Sequence, residues 1–183
     1  MSIETLKNQI PAYAKDIKLN LSSLANDETL TEQQKWGTFY ASALATRSPA
    51  LIKAIEEEVE QHLSETALTG AKAAHAIMAM NNVYYRFLGL VQNSVYQGMP
   101  AGLRMNIIAN PGIEKADFEL WSLAVSAINA CKGCINAHEQ ELLKHDITTH
   151  QIQTAVRIAS VIQAVAAIID SESAKEEIFS QAA

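Results

Sequence analysis

The sequence predicts an all-α fold, and three observations support this prediction. No segment of the 183 residues alternates apolar and polar side chains with a period of two, as a half-buried strand would. Several segments instead repeat apolar residues at helical spacing, beginning with Ile17, Leu21 and Leu24. Capping signals precede such segments, as at Thr31, which is followed three residues later by a glutamine. We therefore expect one domain, residues 1–183, made of helices.

The first half of the chain contains five predicted helices. Ser48 followed by Pro49 is typical of an N-cap with proline at the first helical position, and Ser64 is a suitable cap for the next helix. The segment after Ser64 is rich in alanine and apolar nearly all round, which predicts a central helix. The predicted helices are a short one that opens at residues 2–5 and ends before Pro11, then 13–25, 31–46, 49–63 and 64–88.

The second half begins with a linker at residues 89–102, which contains Gly98 and Pro100. A short helical or irregular apolar piece follows and ends at Asn110-Pro111-Gly112. Apolar spacing predicts three more helices before a short charged helix or frayed tail. The predicted segments are 103–110, 116–129, 134–144, 149–170 and the tail at 172–183.

A shift of 85 residues brings the two halves of the chain into register. It places Trp36 on Trp121, which we expect to be core anchors, and it pairs three helices without a gap. We expect two similar three-helix units, about 31–88 and about 116–171, packed face to face. The shift also sets the helix start at Ser48-Pro49 against Gly133-Cys134. It therefore predicts a helix break near residues 131–133, a restart at Cys134 and Gly133 as the N-cap.

Charge and hydropathy argue against nucleic-acid and membrane partners. The formal net charge is −6, and lysine and arginine form no basic stripe. The N-terminal residues lack the apolar region of a secretory signal, and the longest apolar run, 164–169, is far shorter than a membrane span. We expect a soluble cytoplasmic protein whose cysteines are reduced or cycle between redox states.

The only two cysteines, Cys131 and Cys134, lie one helical turn apart, close enough for a disulfide once oxidised. His138 follows four residues after Cys134, so a helix places both on one face, where the imidazole stabilises a thiolate. In one straight helix Glu119 would lie ~18 Å from Cys131 at 1.5 Å per residue. With the predicted break, Glu119 can reach His138, and Cys134 lies in the first helical turn, which favours its thiolate. The pattern predicts a dithiol redox centre with a built-in base.

Other interpretations of the cysteine pair are weaker or remain open. Structural zinc needs four ligands and the pair with His138 supplies three, so we expect no metal. Haem attachment requires histidine directly after the second cysteine, where Ile135 stands, and a thioredoxin-type pair requires strands. Two buried cysteines without chemistry remain an alternative. Lys132 either lowers the thiol pKa by its charge or points to water, and His75 is expected to be a hydrogen-bonded packing histidine.

The spacing of Glu119, Cys131, Cys134 and His138, with Glu139 next, resembles that of the alkyl hydroperoxidase D (AhpD) family. A lone pair of cysteines three apart is a weak signal, but the likeness extends over almost the whole chain. Some relatives carry a histidine between the cysteines, where this chain has lysine and glycine, so any part of that imidazole in proton transfer is absent here. The further segments that resemble the family are 10–21, 78–86 and 103–111.

The resemblance implies an all-helical homotrimer that reduces alkyl hydroperoxides and regenerates the peroxiredoxin AhpC. Electrons would come from dihydrolipoamide on a 2-oxoacid dehydrogenase component, itself reduced by lipoamide dehydrogenase, and no cofactor would be tightly bound. By motif, Cys134 would be the attacking thiolate that becomes a sulfenic acid, and Cys131 the proton donor and resolving thiol of a redox-active disulfide. His138 would relay the proton, and Glu119 would orient or charge His138.

Two other functions are compatible with an all-helical chain of this kind. One is a non-catalytic redox sensor or adaptor that uses the same cysteine pair to change a partner contact. The other is a decarboxylase-like member of the wider helical superfamily, against which the intact cysteine pair argues. A sensor needs no proton relay, so Glu119 and His138 distinguish the sensor from an enzyme.

Overall fold

The computed structural model describes residues 3–181 and the side chains of residues 3–174. Within residues 3–181 it contains α-helices and short 3-10 turns but no strand, which confirms the predicted all-α fold. Ser2 and the last two residues of the predicted tail lie outside the described residues. The helices are α1 (Ile3–Gln9), α2 (Lys15–Ala25), α3 (Glu32–Thr46), α4 (Pro49–Val59), α5 (Glu65–Leu90), α6 (Asn106–Ala109), α7 (Lys115–Ile128), α8 (Lys132–Lys144) and α9 (Thr149–Gln181).

The capping signals lie where the sequence analysis placed them. Thr31 and Gln34 form a reciprocal capping box, in which Thr31 Oγ1 accepts from the Gln34 amide and Gln34 Oε1 accepts from the Thr31 amide. Ser48 caps α4, and Ser64 Oγ caps α5 by accepting from the Ala67 amide at 3.2 Å. The starts of α3, α4 and α5 therefore follow from local chemistry.

The centre of the molecule is formed by α3 and α7, not by the alanine-rich α5. Residues 34–43 of α3 and 117–126 of α7 are all buried, so both helices are covered on every side. Helix α5 buries only one face, and its other face leaves Val83 59% and Leu90 76% exposed. The prediction that α5 is central is wrong, because an apolar composition does not by itself determine which helix is covered by others on all sides.

The crossing of α3 and α7 depends on a glycine opposite a tryptophan. Gly37 lies against the Trp121 indole, and a Cβ built on Gly37 would overlap the indole ring. Trp121 Nε1 donates to the Gln34 carbonyl at 3.2 Å across the same crossing. Trp36 is 5% exposed and Trp121 is fully buried, which confirms both as core anchors.

Helix α9 runs without interruption past residue 170, where the sequence analysis ended it. The prediction of a separate tail helix is therefore wrong for the residues up to Gln181. No helix-breaking residue separates the apolar part of α9 from its charged part. Residues 149–174 are long and apolar enough to cross a membrane by length and composition alone. Their buried side chains, such as Ile158, Ile162 and Val165, belong to the common core, as in the core helix of a soluble protein.

The segment between α5 and α7 is largely irregular. Helix α5 extends to Leu90, two residues beyond its predicted end, and a 3-10 turn at Ser94–Gly98 follows within the predicted linker. Only Asn106–Ala109 is helical within the predicted piece 103–110. The internal duplication stays a prediction.

His75 departs from its predicted role. It is half-buried on α5, but its Nδ1 has no hydrogen-bond partner, so the predicted hydrogen bond is missing at that atom. Burial lowers the pKa of His75 below its usual value, with a smaller contribution from the charge of Arg47. The ring is therefore held as a neutral packing group.

The Gly37–Trp121 contact predicts a large effect of one methyl group. Gly37→Ala should lower the free energy of unfolding by about 3 kcal/mol, because neither the backbone of α3 nor the buried indole can move away. Gly89→Ala is the matched control, since a Cβ there meets nothing within 4 Å and should stabilise α5 by about 0.5 kcal/mol. Urea unfolding of the two variants measures both effects. Equal stability of Gly37→Ala and the wild type would contradict this crossing.

Candidate active site

The chain reverses between α7 and α8 through a Schellman motif that contains no glycine. The Cys131 amide donates to the Ser126 carbonyl and the Ala130 amide to the Ala127 carbonyl, each at 3.1 Å. Ala130 occupies the left-handed position of the motif with a φ of 53°. Because Ala130 is not glycine, the left-handed position itself carries none of the usual sequence signal for a helix end.

Cys131 also begins the next helix. It is the N-cap of α8, and its Sγ accepts from the Cys134 amide at 3.4 Å. The predicted break between the helices is confirmed, but Gly133 as N-cap and a restart at Cys134 are wrong. Glycine has no side chain to accept this hydrogen bond, whereas the Cys131 sulfur can. Cys134 still lies in the first turn of α8, as predicted.

The two cysteines form a disulfide at the N-terminus of α8. Their Cα atoms are 5.3 Å apart, which lies within the usual range for a disulfide. Cys131 is fully buried, whereas Cys134 is 6% exposed and lines a pocket. Only the Cys134 sulfur is therefore positioned to meet a molecule that enters from solvent.

A chain of hydrogen-bonded amides fixes the turn against α5. Asn82 Nδ2 donates to Ser126 Oγ at 2.9 Å, and Asn129 Nδ2 donates to Asn82 Oδ1 at 3.0 Å. Arg86 donates to the Asn129 carbonyl at 2.9 Å. Since both ends of the Asn82 amide are used, the turn that carries the cysteines is held firmly to α5.

The pocket in front of Cys134 has a volume of about 700 Å³ and is mainly apolar. Asn81, Glu119 and His138 are its buried polar residues, and Cys134 Sγ lies 3.9 Å from the Asn81 carbonyl oxygen. Pockets of this size and character are typical of small-molecule sites. The apolar lining residues are Met78, Tyr85, Leu88, Met105 and Ile108.

His138 is held between a carboxylate and a thioether. Its Nδ1 donates to Glu119 Oε2 at 2.5 Å, and its Nε2 lies 3.1 Å from Met78 Sδ. A carboxylate and a thioether can only accept, so a proton on either ring nitrogen has an acceptor. The ring can therefore hold a second proton without leaving an N–H group unpaired.

Glu119 is a carboxylate inside the protein core. It is 3% exposed, and its second oxygen forms an ion pair with Lys115 Nζ at 2.6 Å. Burial alone would raise the pKa of Glu119, but hydrogen bonds from His138 and Lys115, together with their charges, hold that pKa below its usual 4.5. Glu119 is therefore ionised at neutral pH, and the negative charge faces His138.

The structure brings together all four site residues that the sequence analysis selected: Glu119, Cys131, Cys134 and His138. Lys132 is exposed, which agrees with the solvated alternative. Among the described residues, no group of three or more His, Cys, Asp or Glu side chains is arranged to hold a metal ion.

Three residues that line this pocket were missed. Lys115 precedes Glu119 by one helical turn, so the ion pair could have been found from spacing alone. No role in the site was predicted for Met78, although its sulfur contacts His138. Asn81 lies on the same face of α5 as Met78, and no sequence signal placed that face against Cys134.

Comparisons with known proteins show which family this chain resembles. The carboxymuconolactone decarboxylase family model matches residues 95–176. A protein of Maricaulis maris named alkyl hydroperoxide reductase AhpD is 61% identical over 173 residues, which cover 94% of this chain and 100% of the relative. Proteins of the same name from Bradyrhizobium sp. (strain ORS 278) and Hyphomonas neptunium are 60% and 59% identical; they cover 93% and 95% of this chain, and 94% and 97% of their own lengths.

The buried Glu119 predicts a pH-dependent contribution to stability. Because its folded pKa lies below the usual 4.5, its contribution is present above pH 4.5 and is lost as the pH falls through the folded value. Glu119→Gln should therefore lower the free energy of unfolding by about 2 kcal/mol at pH 7, and by much less at pH 3. Urea unfolding across this range measures the difference. The exposed Glu139→Gln is the control, and a Glu119→Gln deficit independent of pH would contradict the ion pair.

Proposed function

This chain belongs to the AhpD family of alkyl hydroperoxide reductases, and from this premise we propose that it reduces alkyl hydroperoxides through Cys131 and Cys134. The observation that supports this most directly is the disulfide with one buried sulfur and one sulfur facing a pocket. Beside that pocket stands an imidazole paired with a buried carboxylate. A dithiol in such surroundings can cycle between its reduced and oxidised forms.

The first step is formation of a thiolate on Cys134 in the reduced protein. His138 follows Cys134 by one turn of α8 and accepts the proton, with Glu119 holding the ring and compensating its positive charge. The N-terminus of α8 adds a positive potential at Cys134. These two effects act together on the sulfur that faces the pocket.

The second step is attack on the hydroperoxide. The Cys134 thiolate bonds to the terminal oxygen, the O–O bond breaks, and the alkoxide leaves as an alcohol after it takes the proton from His138. The sulfur is oxidised by two electrons to a sulfenic acid while the peroxide is reduced to the alcohol. Cys131 then attacks the Cys134 sulfur, closes the disulfide and releases water, while the Cys131 proton completes the balance.

The third step returns two electrons to the disulfide by thiol exchange. We propose dihydrolipoamide as the donor, borne on a dehydrogenase component and regenerated by lipoamide dehydrogenase, with no tightly bound cofactor in this chain. The mainly apolar pocket of about 700 Å³ is suited to the aliphatic lipoyl arm. The reduced pair would in turn regenerate the peroxiredoxin AhpC, in a cytoplasmic setting.

We further propose that the chain forms a homotrimer through the exposed face of α5 and the turn after it. Val83, Phe87 and Leu90 follow helical spacing and are 59%, 45% and 76% exposed. Phe87 continues this face onto Tyr96, whose ring centroid lies 5.3 Å away. An apolar stripe of this kind is typical of a subunit interface, and its occupant here is another copy of the chain.

The alternative is a redox sensor or adaptor that uses the same disulfide. A sensor requires a reactive cysteine pair but no turnover, and hence no proton held on His138. The buried Glu119 carboxylate beside the pocket favours the enzyme, because burying a charge is costly and a sensor has no use for a carboxylate that orients His138.

Turnover with dihydrolipoamide and an organic hydroperoxide tests the proposed activity. Wild-type protein should oxidise dihydrolipoamide in a peroxide-dependent way, and Cys134→Ser should abolish this because it removes the attacking sulfur. His138→Ala should lower kcat/KM by about 10²–10⁴-fold, the usual contribution of a positioned acid or base. Lipoamide formation followed by its absorbance, with peroxide loss measured in parallel, gives both rates.

Cys131→Ser provides the internal check on the roles of the two sulfurs. This variant should accumulate the sulfenic acid on Cys134, which dimedone labels and mass spectrometry locates. Cys134→Ser, in which Cys131 is the remaining thiol, should take up no label, and peroxide-dependent labelling of Cys131 in that variant would contradict the assigned roles. A wild-type protein that shows no turnover but forms the disulfide with peroxide, at a rate unchanged in Glu119→Gln and His138→Ala, would favour the sensor.

The homotrimer predicts the effect of a charge on the α5 face. Phe87→Glu should dissociate the wild-type assembly to monomers of 19.9 kDa, because a carboxylate cannot be buried unpaired in an apolar interface. Leu143→Glu is the control, since Leu143 is 47% exposed but lies on α8, outside this face. Sedimentation velocity measures the masses. A wild-type monomer, or a Phe87→Glu trimer, would contradict this interface.

A further inference from the structure

Two adjacent asparagines on α5 are both buried but differ in how their amides are used. Asn82 is 2% exposed, and both ends of its amide are hydrogen-bonded, to Ser126 and to Asn129. Asn81 is 4% exposed, and its Oδ1 is buried without a hydrogen-bond partner. Buried amide oxygens are rarely left unpaired, because the lost hydration is not replaced.

The residue with the unpaired amide oxygen is one of those that line the pocket of the attacking sulfur. Asn81 lines the same pocket as Cys134 and His138, and its backbone oxygen is the atom 3.9 Å from Cys134 Sγ. The sulfur of Met78, one turn earlier on α5, lies 3.1 Å from Nε2 of His138. Met78 and Asn81 therefore lie three residues apart on one face of α5, and both line the pocket.

We infer that the Asn81 side-chain amide binds the terminal hydroxyl of the hydroperoxide and keeps that hydroxyl after it moves to Cys134. This inference rests on the proposed peroxide reduction. A hydroperoxide carries an O–H donor on the oxygen that the sulfur attacks, and Asn81 Oδ1 is an acceptor. The alkyl group then lies toward the apolar part of the pocket.

The Asn81 oxygen can accept a hydrogen bond from the hydroxyl both before and after the O–O bond breaks. Before attack, the O–H of ROOH donates to Asn81 while the thiolate approaches the same oxygen from the Cys134 side. Cys134 Sγ then bonds to that oxygen, the O–O bond breaks, and RO⁻ takes the proton from His138. The hydroxyl is now part of the sulfenic acid, and its O–H can still donate to Asn81 until Cys131 expels it as water.

This assignment separates the two half-reactions of the cycle. Reduction of the Cys131–Cys134 disulfide by a dithiol involves only sulfur, so it gains nothing from an acceptor for a hydroxyl group. Oxidation by a hydroperoxide requires that acceptor in the transition state. A residue that only supported the fold would affect both half-reactions alike.

The test measures both half-reactions in Asn81→Leu, which has a similar volume but no amide. Reduced protein is mixed with ethyl hydroperoxide in a single turnover, and the free thiols are trapped with N-ethylmaleimide and counted by mass spectrometry. We expect the rate constant to fall roughly ten- to hundred-fold, as for loss of one hydrogen bond in the transition state. Reduction of the disulfide by dihydrolipoamide should keep the wild-type rate.

Three matched variants define the result. Asn81→Ala should show the same split, which excludes an effect of leucine bulk. Asn136→Leu removes an exposed amide from α8 and should change neither rate. Asn82→Leu should lower Tm because it breaks two hydrogen bonds, whereas Asn81→Leu should keep or raise Tm because its oxygen had none.

Different outcomes overturn different statements. Equal peroxide rates in wild type and both Asn81 variants would overturn the role of Asn81 and leave the peroxide reduction intact. A fall of both half-reactions by the same factor would show that Asn81 only supports the fold. A wild-type protein that accepts electrons from dihydrolipoamide but does not react with ethyl hydroperoxide would overturn the proposed function, and the role of Asn81 with it.

Discussion

The site depends on a carboxylate ionised inside the hydrophobic core. Glu119 lies on α7, in a stretch whose residues are all buried, and an isolated charge there would be prohibitively costly. Lys115 and His138 supply the compensation, one from the same helix and one from α8. The pairing of Glu119 with His138 therefore fixes how α8 packs on α7. It also orients the imidazole of His138 toward the carboxylate.

The turn between α7 and α8 places the sulfur chemistry beside this ion pair. Cys131 closes the end of one helix with its amide and caps the start of the next with its sulfur. Its full burial follows from this double role, while Cys134, three residues later, lies at the pocket surface. The asymmetry between the two sulfurs, which in the proposed reaction separates attack from resolution, therefore comes from backbone geometry more than from the residues that surround them.

Local signals in the sequence were sufficient for most of the fold and for the choice of site residues. Thr31, Ser48 and Ser64 mark helix starts because capping involves atoms only a few residues apart. The contact of Met78 with His138, the position of Asn81 and the one-sided burial of α5 depend on residues about 40 to 60 positions apart, which periodicity does not encode. The N-cap of α8 was misplaced because cysteine is not among the usual capping residues, whereas glycine, which follows two residues later at Gly133, is an accepted one.

The short span of the disulfide has a consequence for chain entropy. A crosslink between residues three apart closes a very small loop, so it removes few conformations from the unfolded chain, and loop closure contributes only about 2 kcal/mol. Reduction therefore withdraws little support from the folded state, and the cap and the amide chain to α5 still hold both ends of the turn. In the proposed cycle, the bond would therefore open and close repeatedly while the rest of the architecture stays unchanged.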